Sequence, residues 1–277
     1  MGEVWRRIRK SRSAMLGLVI LVTIVLVTIF ADQIVPYSKA LTVDAGNRLK
    51  GPSSEHWFGT DGYGRDLFAR VLHGGRRSLT IGLTATACGL LAGWFIASIV
   101  SYYGGVVDNV VMRLMDVVAS MPMTLMALAI VAALGASLKN LIIAIAIART
   151  PTFARVIRSS MLGVVNMEYI EAAHAGGAGA ARIILNHITP NVFGTIIVQT
   201  TMTTAQLILI AASLSFLGLG VQLPTPEWGA LLSEAREFMR TSPYLMVFPG
   251  IFIILTSLSL NLLGDGLRDA LDPRLKT

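Results

Sequence analysis

The chain has 277 residues, of which 54% are hydrophobic and only 14% are charged, with a mean hydropathy of +0.67. Soluble domains contain about 25% charged residues, so this composition excludes an ordinary soluble domain and indicates a membrane protein. The formal charge of +7 is interpreted as basic residues that set the orientation of the chain in the membrane and attract anionic lipid, rather than as a nucleic-acid-binding surface. The single cysteine, Cys88, excludes a disulfide framework or a cysteine-based metal site.

A basic N-terminal segment precedes the first apolar stretch. Residues 1–13 contain five basic side chains against one acid, and residues 14–31 contain no charge at all. Because basic residues flanking a span stay in the cytoplasm, the pattern predicts a cytoplasmic segment at residues 1–13 and an uncleaved first span rather than a signal peptide. We expect residues 14–277 to form one transmembrane domain, with its core spans over about residues 79–264.

A polar, glycine-rich region follows on the expected outer face. It ends at Asp66, whose carboxylate is placed to cap the helix after it. In that helix Leu67, Val71 and Leu72 form an apolar face, which predicts an amphipathic helix lying at the membrane surface. Residues 78–107 carry no charge and predict a separate second span.

The third and fourth spans are less regular in sequence. Residues 117–138 are uncharged and contain Pro122, which predicts a kink or the end of a helix near that proline. The uncharged residues 140–148 are too few to cross a membrane alone. We therefore expect their helix to continue through Pro151, with Arg149 extending its side chain to the cytoplasmic boundary.

Residues 188–226 form a long uncharged stretch with a polar centre. The hydroxyl and amide side chains in that centre fit two interpretations. They line a translocation path with neutral hydrogen-bonding groups, or they belong to ordinary helix packing in which threonine hydroxyls bond backbone carbonyls. The pathway candidates are Gln199, Thr200, Thr203, Thr204 and Gln206.

Turn signals separate this stretch from the last span. Gly218 and Gly220 predict the end of the helix, and the following prolines predict an extended segment. Trp228 is expected to anchor at the membrane interface. Residues 230–239 predict a short amphipathic helix, and residues 241–264 predict the final span.

The cytoplasmic segment at residues 168–191 is rich in alanine and glycine and contains the sequence EAAHAGG. Its small side chains bury too little surface to form a core, so a partner must hold the short helix it predicts. The segment resembles the EAA loop of permease subunits of ATP-binding-cassette (ABC) importers, which docks on a cytoplasmic ATPase. The matching residues are Glu171, Ala172, Ala173, Gly177 and Pro190. Thr189 and Gly176 depart from the family pattern but leave the acidic anchor and the turn glycine in place.

Further motifs narrow the resemblance. Residues 56–79, 213–238 and 264–276 are similar to segments of the C-type permeases of dipeptide, oligopeptide and nickel ABC importers. The resemblance implies an all-α integral membrane protein with about six transmembrane helices, the type I ABC importer permease fold and a cytoplasmic coupling helix. It implies a multi-pass protein of a bacterial or archaeal cell membrane that forms the translocation path for short peptides.

The resemblance also implies the partners: a homologous second permease subunit, two cytoplasmic ABC ATPases, an extracytoplasmic substrate-binding protein and membrane lipid. The chain has no G-x-x-x-x-G-K-[ST] motif, so we expect ATP and Mg²⁺ to bind the partner ATPases and no cofactor to bind this chain. We expect no catalytic residue, no metal site and no nucleic-acid partner here.

Three alternatives stay open at this point. A nickel or other small-solute permease shares the same motifs, although the lack of histidine in the predicted spans favours peptides. A stand-alone secondary transporter would need ionisable residues inside the membrane, and a membrane-embedded hydrolase would need a base beside its nucleophile. The most clearly predicted spans contain neither feature.

Overall fold

The uncharged apolar stretches form helices, because backbone groups removed from water must bond to one another. The computed structural model describes residues 2–271, and most of this part of the chain is helical. The end of the predicted C-terminal motif, residues 272–276, lies outside the described residues.

Thirteen α-helices form in the described part of the chain, joined by short irregular segments. In chain order they are α1 (Gly2–Lys10), α2 (Arg12–Ile29), α3 (Ala31–Ile34), α4 (Tyr37–Leu41), α5 (Leu67–Tyr103), α6 (Gly105–Ala119), α7 (Met123–Leu134), α8 (Leu138–Val165), α9 (Glu168–Ala175), α10 (Ala180–Arg182), α11 (Thr189–Phe216), α12 (Trp228–Ala235) and α13 (Tyr244–Leu271). The remaining helical pieces are 3-10 turns at Ala45–Asn47 and Arg236–Phe238 and a π-helix at Ile183–Ile188.

Between residues 2 and 271, five helical segments are long and apolar enough to cross a membrane. They are α2, α5, α8, the continuous segment Ala180–Phe216 and α13, and the bent pair α6–α7 would make a sixth. This agrees with the expected all-α membrane fold of about six spans. Because each span reverses the chain, α9 lies on one side of the bundle, the α9 side, and α12 lies on the opposite side, the α12 side.

The third span is a broken helix, with its break inside the uncharged stretch of residues 117–138. Helix α6 ends at Ala119, α7 begins at Met123, and the two axes differ by 81°. Pro122 stands at the N-cap of α7 with an extended ψ of 131°. Proline has no backbone N–H to give to the preceding turn, so the helix ends there, as the sequence predicted.

The second span begins earlier than expected, and no separate surface helix precedes it. Asp66 caps α5 as predicted, accepting a 2.8 Å bond from the Ala69 backbone N–H. The helix then runs for 37 residues, and the supposed interfacial residue Val71 is fully buried. Gly75 lies inside the helix without interrupting it, and a Cβ at this position would lie 2.3 Å from Thr28 and 2.9 Å from Trp228. The glycine allows close packing instead of a break.

Helix α8 continues through Pro151, as predicted, and packs tightly against α5. The two helices approach closely because Gly93 has no Cβ. A Cβ at that position would lie 2.5 Å from the Cβ of Phe153. The helix continues to Val165, so Arg149 lies well inside it rather than at its cytoplasmic end. Arg149 therefore lies within a helix long enough to span the membrane, and its expected place at the cytoplasmic boundary stays a prediction.

On the α12 side, the short helix α12 packs against α5, α11 and α13. Trp228, expected at the membrane interface, has an exposure of 0% and donates its indole N–H to the Val71 carbonyl at 2.9 Å. Glu227 caps α12 through the backbone N–H groups of Gly229 and Ala230, and it accepts a 2.7 Å bond from the Ser78 hydroxyl. The interfacial interpretation of Trp228 is wrong because α5 supplies both a surface and a carbonyl acceptor.

A buried network of four charged residues ties α12 to the segment before α5. Arg70, which is 1% exposed, donates to Asp61 at 2.6 Å and to both carboxylate oxygens of Glu234 at 2.7 and 2.8 Å. Arg65 donates to Asp61 at 2.7 Å and also binds Glu234. Two cations and two anions thus neutralise one another away from water.

Candidate functional site

Helix α9 is short and has a defined C-terminal stop. Gly177 has a φ of +78°, and its N–H bonds the His174 carbonyl at 2.9 Å. The next N–H, from Ala178, bonds the Ala173 carbonyl at 3.0 Å. This pair of bonds is the Schellman arrangement, which satisfies carbonyls left free at a helix end. The turn glycine of the EAA sequence therefore ends α9 and redirects the chain.

One apolar side chain fastens α9 to the bundle. Ile170 is 1% exposed and lies in a cluster with side chains of α5, α8, the π-helix and α11. The His174 ring also stacks on Tyr102 of α5, with centroids 5.5 Å apart. A helix of eight residues is marginal on its own in water, so these tertiary contacts hold it in place. Helix α9 is thereby packed against a cluster to which α5, α8, the π-helix and α11 all contribute side chains.

The opposite surface of α9 is open. Glu171 and Ala172 are exposed, and Ala173 is half-buried against the Ile170 cluster. The Glu171 carboxylate has no hydrogen bond or ion pair with any described residue. Gly177 is also exposed, just beyond the helix end. Four of the five candidate coupling residues thus lie on or beside one short helix with an uncompensated negative charge.

Pro190, the fifth candidate, lies apart from α9 in the first turn of α11. The residues before it form a π-helix over Ile183–Ile188. A proline inside a helix removes one N–H and crowds the carbonyl four residues earlier, and a wider turn accommodates both effects. The Asn191 side chain donates to the His187 carbonyl at 2.6 Å. Pro190 therefore shapes the return of the chain into the bundle.

A glycine substitution tests whether the stop of α9 matters. We expect Gly177→Ala to cost about 1–2 kcal/mol locally, because an alanine is strained at positive φ, although nothing lies within 4 Å of its Cβ. Hydrogen exchange of the α9 amides should accelerate, and uptake by the assembled transporter should fall.

The neighbouring glycine supplies the matched control. Gly176 has a φ of −74°, and its Cβ would make only ordinary contacts, so Gly176→Ala should leave exchange unchanged. Gly177→Asn should recover most of the protection, since asparagine tolerates the left-handed conformation. Equal exchange rates in the two alanine variants would contradict the importance of this turn.

The polar centre of α11 has two faces. The hydroxyls of Thr200 and Thr204 donate to the backbone carbonyls of Ile196 and Thr200 at 2.6 and 2.8 Å. These bonds fit the interpretation of this face as ordinary helix packing. Gln199, Thr203 and Gln206 share the other face. Gln199 donates to the buried Thr203 hydroxyl at 3.4 Å, and Gln206 is exposed.

The second face accepts hydrogen bonds from a charged residue of α8, a contact that the sequence did not predict. Arg149 of α8 donates from Nη2 to the Gln206 amide oxygen at 2.8 Å and to the Thr203 hydroxyl at 3.3 Å. Both bonds join residues more than fifty positions apart. The sequence feature that could have indicated this polar cluster is Arg149 itself, a single charge within an otherwise apolar stretch. Its partners could not be predicted, because they depend on the packing of α8 against α11.

Two family profiles match the chain. The profile described as a binding-protein-dependent transport system inner membrane component matches residues 89–277. The profile described as the N-terminal transmembrane domain of oligopeptide transport permease C matches residues 1–52.

Individual proteins are similar over nearly the whole chain. The dipeptide transport system permease protein DppC of Alkalihalophilus pseudofirmus is 46% identical over 275 residues, which cover 99% of this chain and 90% of that protein. The glutathione transport system permease protein GsiD of Escherichia coli is 46% identical over 274 residues, with the same coverage. Among solved structures, the inward-facing MetNI methionine ABC transporter has a chain with the same fold. Its TM-score is 0.60 at 17% identity, covering 74% of this chain and 98% of that one.

Proposed function

The chain belongs to the family of inner-membrane components of binding-protein-dependent transport systems, and on that premise we propose that it imports short peptides together with a second permease subunit. It is a multi-pass ABC importer permease with the type I fold. The relatives named for dipeptides and glutathione support a peptide as the solute. Nickel or another small solute is the alternative that the uptake experiment below distinguishes.

The α9 surface is the observation that carries this proposal. An importer must transmit the closure of ATPases outside the membrane to helices inside it, which requires a rigid element seated in a partner. Helix α9 offers Glu171 outward and is fixed through Ile170 to α5, α8 and α11. We propose that two ABC ATPases hold α9 and its counterpart in the second permease, and that ATP and Mg²⁺ bind only to those ATPases.

The proposed orientation places the α9 side in the cytoplasm. The basic N-terminal segment supports it, because α2 would then leave the cytoplasm and each later span would alternate. The α12 side would face outward, where a substrate-binding protein delivers the solute. In this orientation Gln199, Thr203 and Gln206 lie between the two surfaces, within the proposed pathway.

Purification followed by reconstitution tests the proposal. A tagged copy of this chain, isolated from native membranes, should bring with it a second permease and two ATPases. Proteoliposomes containing that complex and the binding protein should accumulate a labelled dipeptide only when ATP is supplied, and should not accumulate nickel. Dipeptide uptake by the chain alone, or a purified chain without an ATPase, would contradict the assignment.

A further inference from the structure

Arg149 is a permanent cation inside a predicted span. The guanidinium group stays charged at any physiological pH, and placing a charge near the bilayer centre costs roughly 2.5–3.5 kcal/mol or more. Such a residue is retained where a partner or a ligand compensates the charge. No salt bridge joins Arg149 to an acidic side chain anywhere in residues 2–271.

Arg149 of α8 and Gln206 of α11 lie at similar distances from the ends of their helices. Arg149 follows the first residue of α8 by roughly 16 Å, and Gln206 precedes the last residue of α11 by roughly 15 Å, at about 1.5 Å per residue. These helix ends both lie on the α12 side. Both residues thus lie about half the ~30 Å thickness of a hydrocarbon core away from the α12-side ends of their helices.

The polar neighbours of Arg149 orient its charge without neutralising it. Thr203 and Gln206 accept hydrogen bonds from the same nitrogen, Nη2, and both acceptors are uncharged. The Nε atom is buried and has no hydrogen-bond partner. Gln206 is exposed, so the seam between α8 and α11 is open on that side. Nη1 makes no hydrogen bond with a described residue and is not buried, so this donor remains available to an anion entering from the open side.

We propose that Arg149, oriented by Thr203 and Gln206, binds the carboxylate of the solute as it passes through the transporter. This inference rests on the proposed peptide-import function, and every free peptide ends in a carboxylate. A guanidinium binds a carboxylate through parallel charge-assisted hydrogen bonds, which are stronger than bonds between neutral groups. The site therefore selects solutes that carry a carboxylate after the binding protein has released them.

Uptake of matched peptides by the reconstituted complex tests the site. Labelled Ala-Ala and its C-terminal amide are supplied separately with ATP and saturating binding protein, and the ratio of their uptake rates is measured. Arg149→Gln should lower the ratio of Ala-Ala uptake to amide uptake by about tenfold. This is the effect of losing a hydrogen bond to a charged group. The preference of the binding protein is the same in both complexes, so it cancels.

Matched variants separate charge from structure. Arg149→Lys should keep much of the preference because it keeps the cation, whereas Gln206→Glu should remove it because the new carboxylate would pair with Arg149 at the 2.8 Å position. Arg155→Gln, on the same helix but paired with Asp116 at an exposed position, should leave the ratio unchanged. Binding-protein-stimulated ATP hydrolysis should persist in every variant.

A second measurement does not require the binding protein. In a Cys88→Ser background, Leu209→Cys places an exposed thiol one turn beyond Gln206. Ala-Ala, but not its amide, should slow alkylation of this thiol by N-ethylmaleimide, and Arg149→Gln should remove the protection.

The outcomes distinguish the site from the function. Active uptake with an unchanged ratio and unchanged protection in Arg149→Gln would overturn the carboxylate site while leaving peptide import standing. Loss of complex assembly in Arg149→Gln, with rescue by Arg149→Lys and no peptide protection, would show instead that Arg149 pairs with an acid of the second permease. Absence of any ATP-dependent peptide uptake by the unmodified complex would overturn both proposals.

Discussion

Replacing Glu171 with lysine is expected to abolish ATP-driven uptake while leaving insertion of the chain intact. The side chain is exposed on α9 and makes no hydrogen bond or ion pair with a described residue, so its replacement removes no polar interaction from the bundle. The change also places a cation in the first turn of α9, which costs about 0.3–1 kcal/mol against the helix dipole. The main effect is reversal of charge at the proposed ATPase contact.

The size of this effect follows from interface electrostatics. Disrupting a desolvated charge contact costs about 2–5 kcal/mol, so we expect uptake to fall by at least thirtyfold. Dissociation of the ATPases during purification and loss of transport are the two measurements. Glu171→Gln should show an intermediate loss, because it keeps the shape and removes only the charge.

A control on the opposite side isolates the role of position. Glu237→Lys makes the same chemical change at an exposed residue near α12, and it should leave ATPase retention unaffected. Normal uptake by Glu171→Lys would refute the assignment of α9 as the coupling element.

Replacing Arg70 with methionine should be the most destabilising change on the α12 side. Methionine preserves the unbranched apolar part of the side chain but leaves Asp61 and Glu234 with only Arg65 to compensate two carboxylates. Removing one member of a buried ion pair costs about 3–5 kcal/mol, because the remaining charge is not compensated. For a domain of this size, a melting temperature lower by roughly 10 °C is expected in detergent.

A second substitution distinguishes lost charge balance from lost packing. Glu234→Gln in the Arg70→Met background restores electrical neutrality with Asp61 and Arg65, and it should recover part of the lost melting temperature. Arg155→Met, which breaks an exposed pair with Asp116, should change the melting temperature little. A double variant less stable than Arg70→Met alone would contradict the electrostatic explanation.

Local pattern was sufficient for several features of the fold and of the candidate site. The end of α9 at Gly177, the cap at Asp66 and the break at Pro122 each depend on the conformational preference of one residue and its immediate neighbours. The position of α9 between two spans likewise followed from hydropathy alone.

Features that depend on distant residues could not be anticipated. Trp228 has the amphipathic character typical of an interfacial anchor, and its burial depends on the Val71 carbonyl 157 positions away. Arg70 and Glu234 are separated by 164 positions, and no sequence pattern relates them. In both cases the partner is supplied by α5, whose continuity from Leu67 into the second span was not predicted.

The sequence by itself therefore determined the membrane class, a fold of about six spans and the family, and it predicts the coupling segment, because apolar length and short motifs are local properties. The tertiary structure alone decided which polar groups are compensated inside the protein. It paired the four charged residues that join α12 to α5 and to the segment before α5, and among the described residues it gave Arg149 only neutral hydrogen-bond partners. The reason is that the free energy of a buried charge depends on the groups packed around it, and those groups come from helices far apart in the chain.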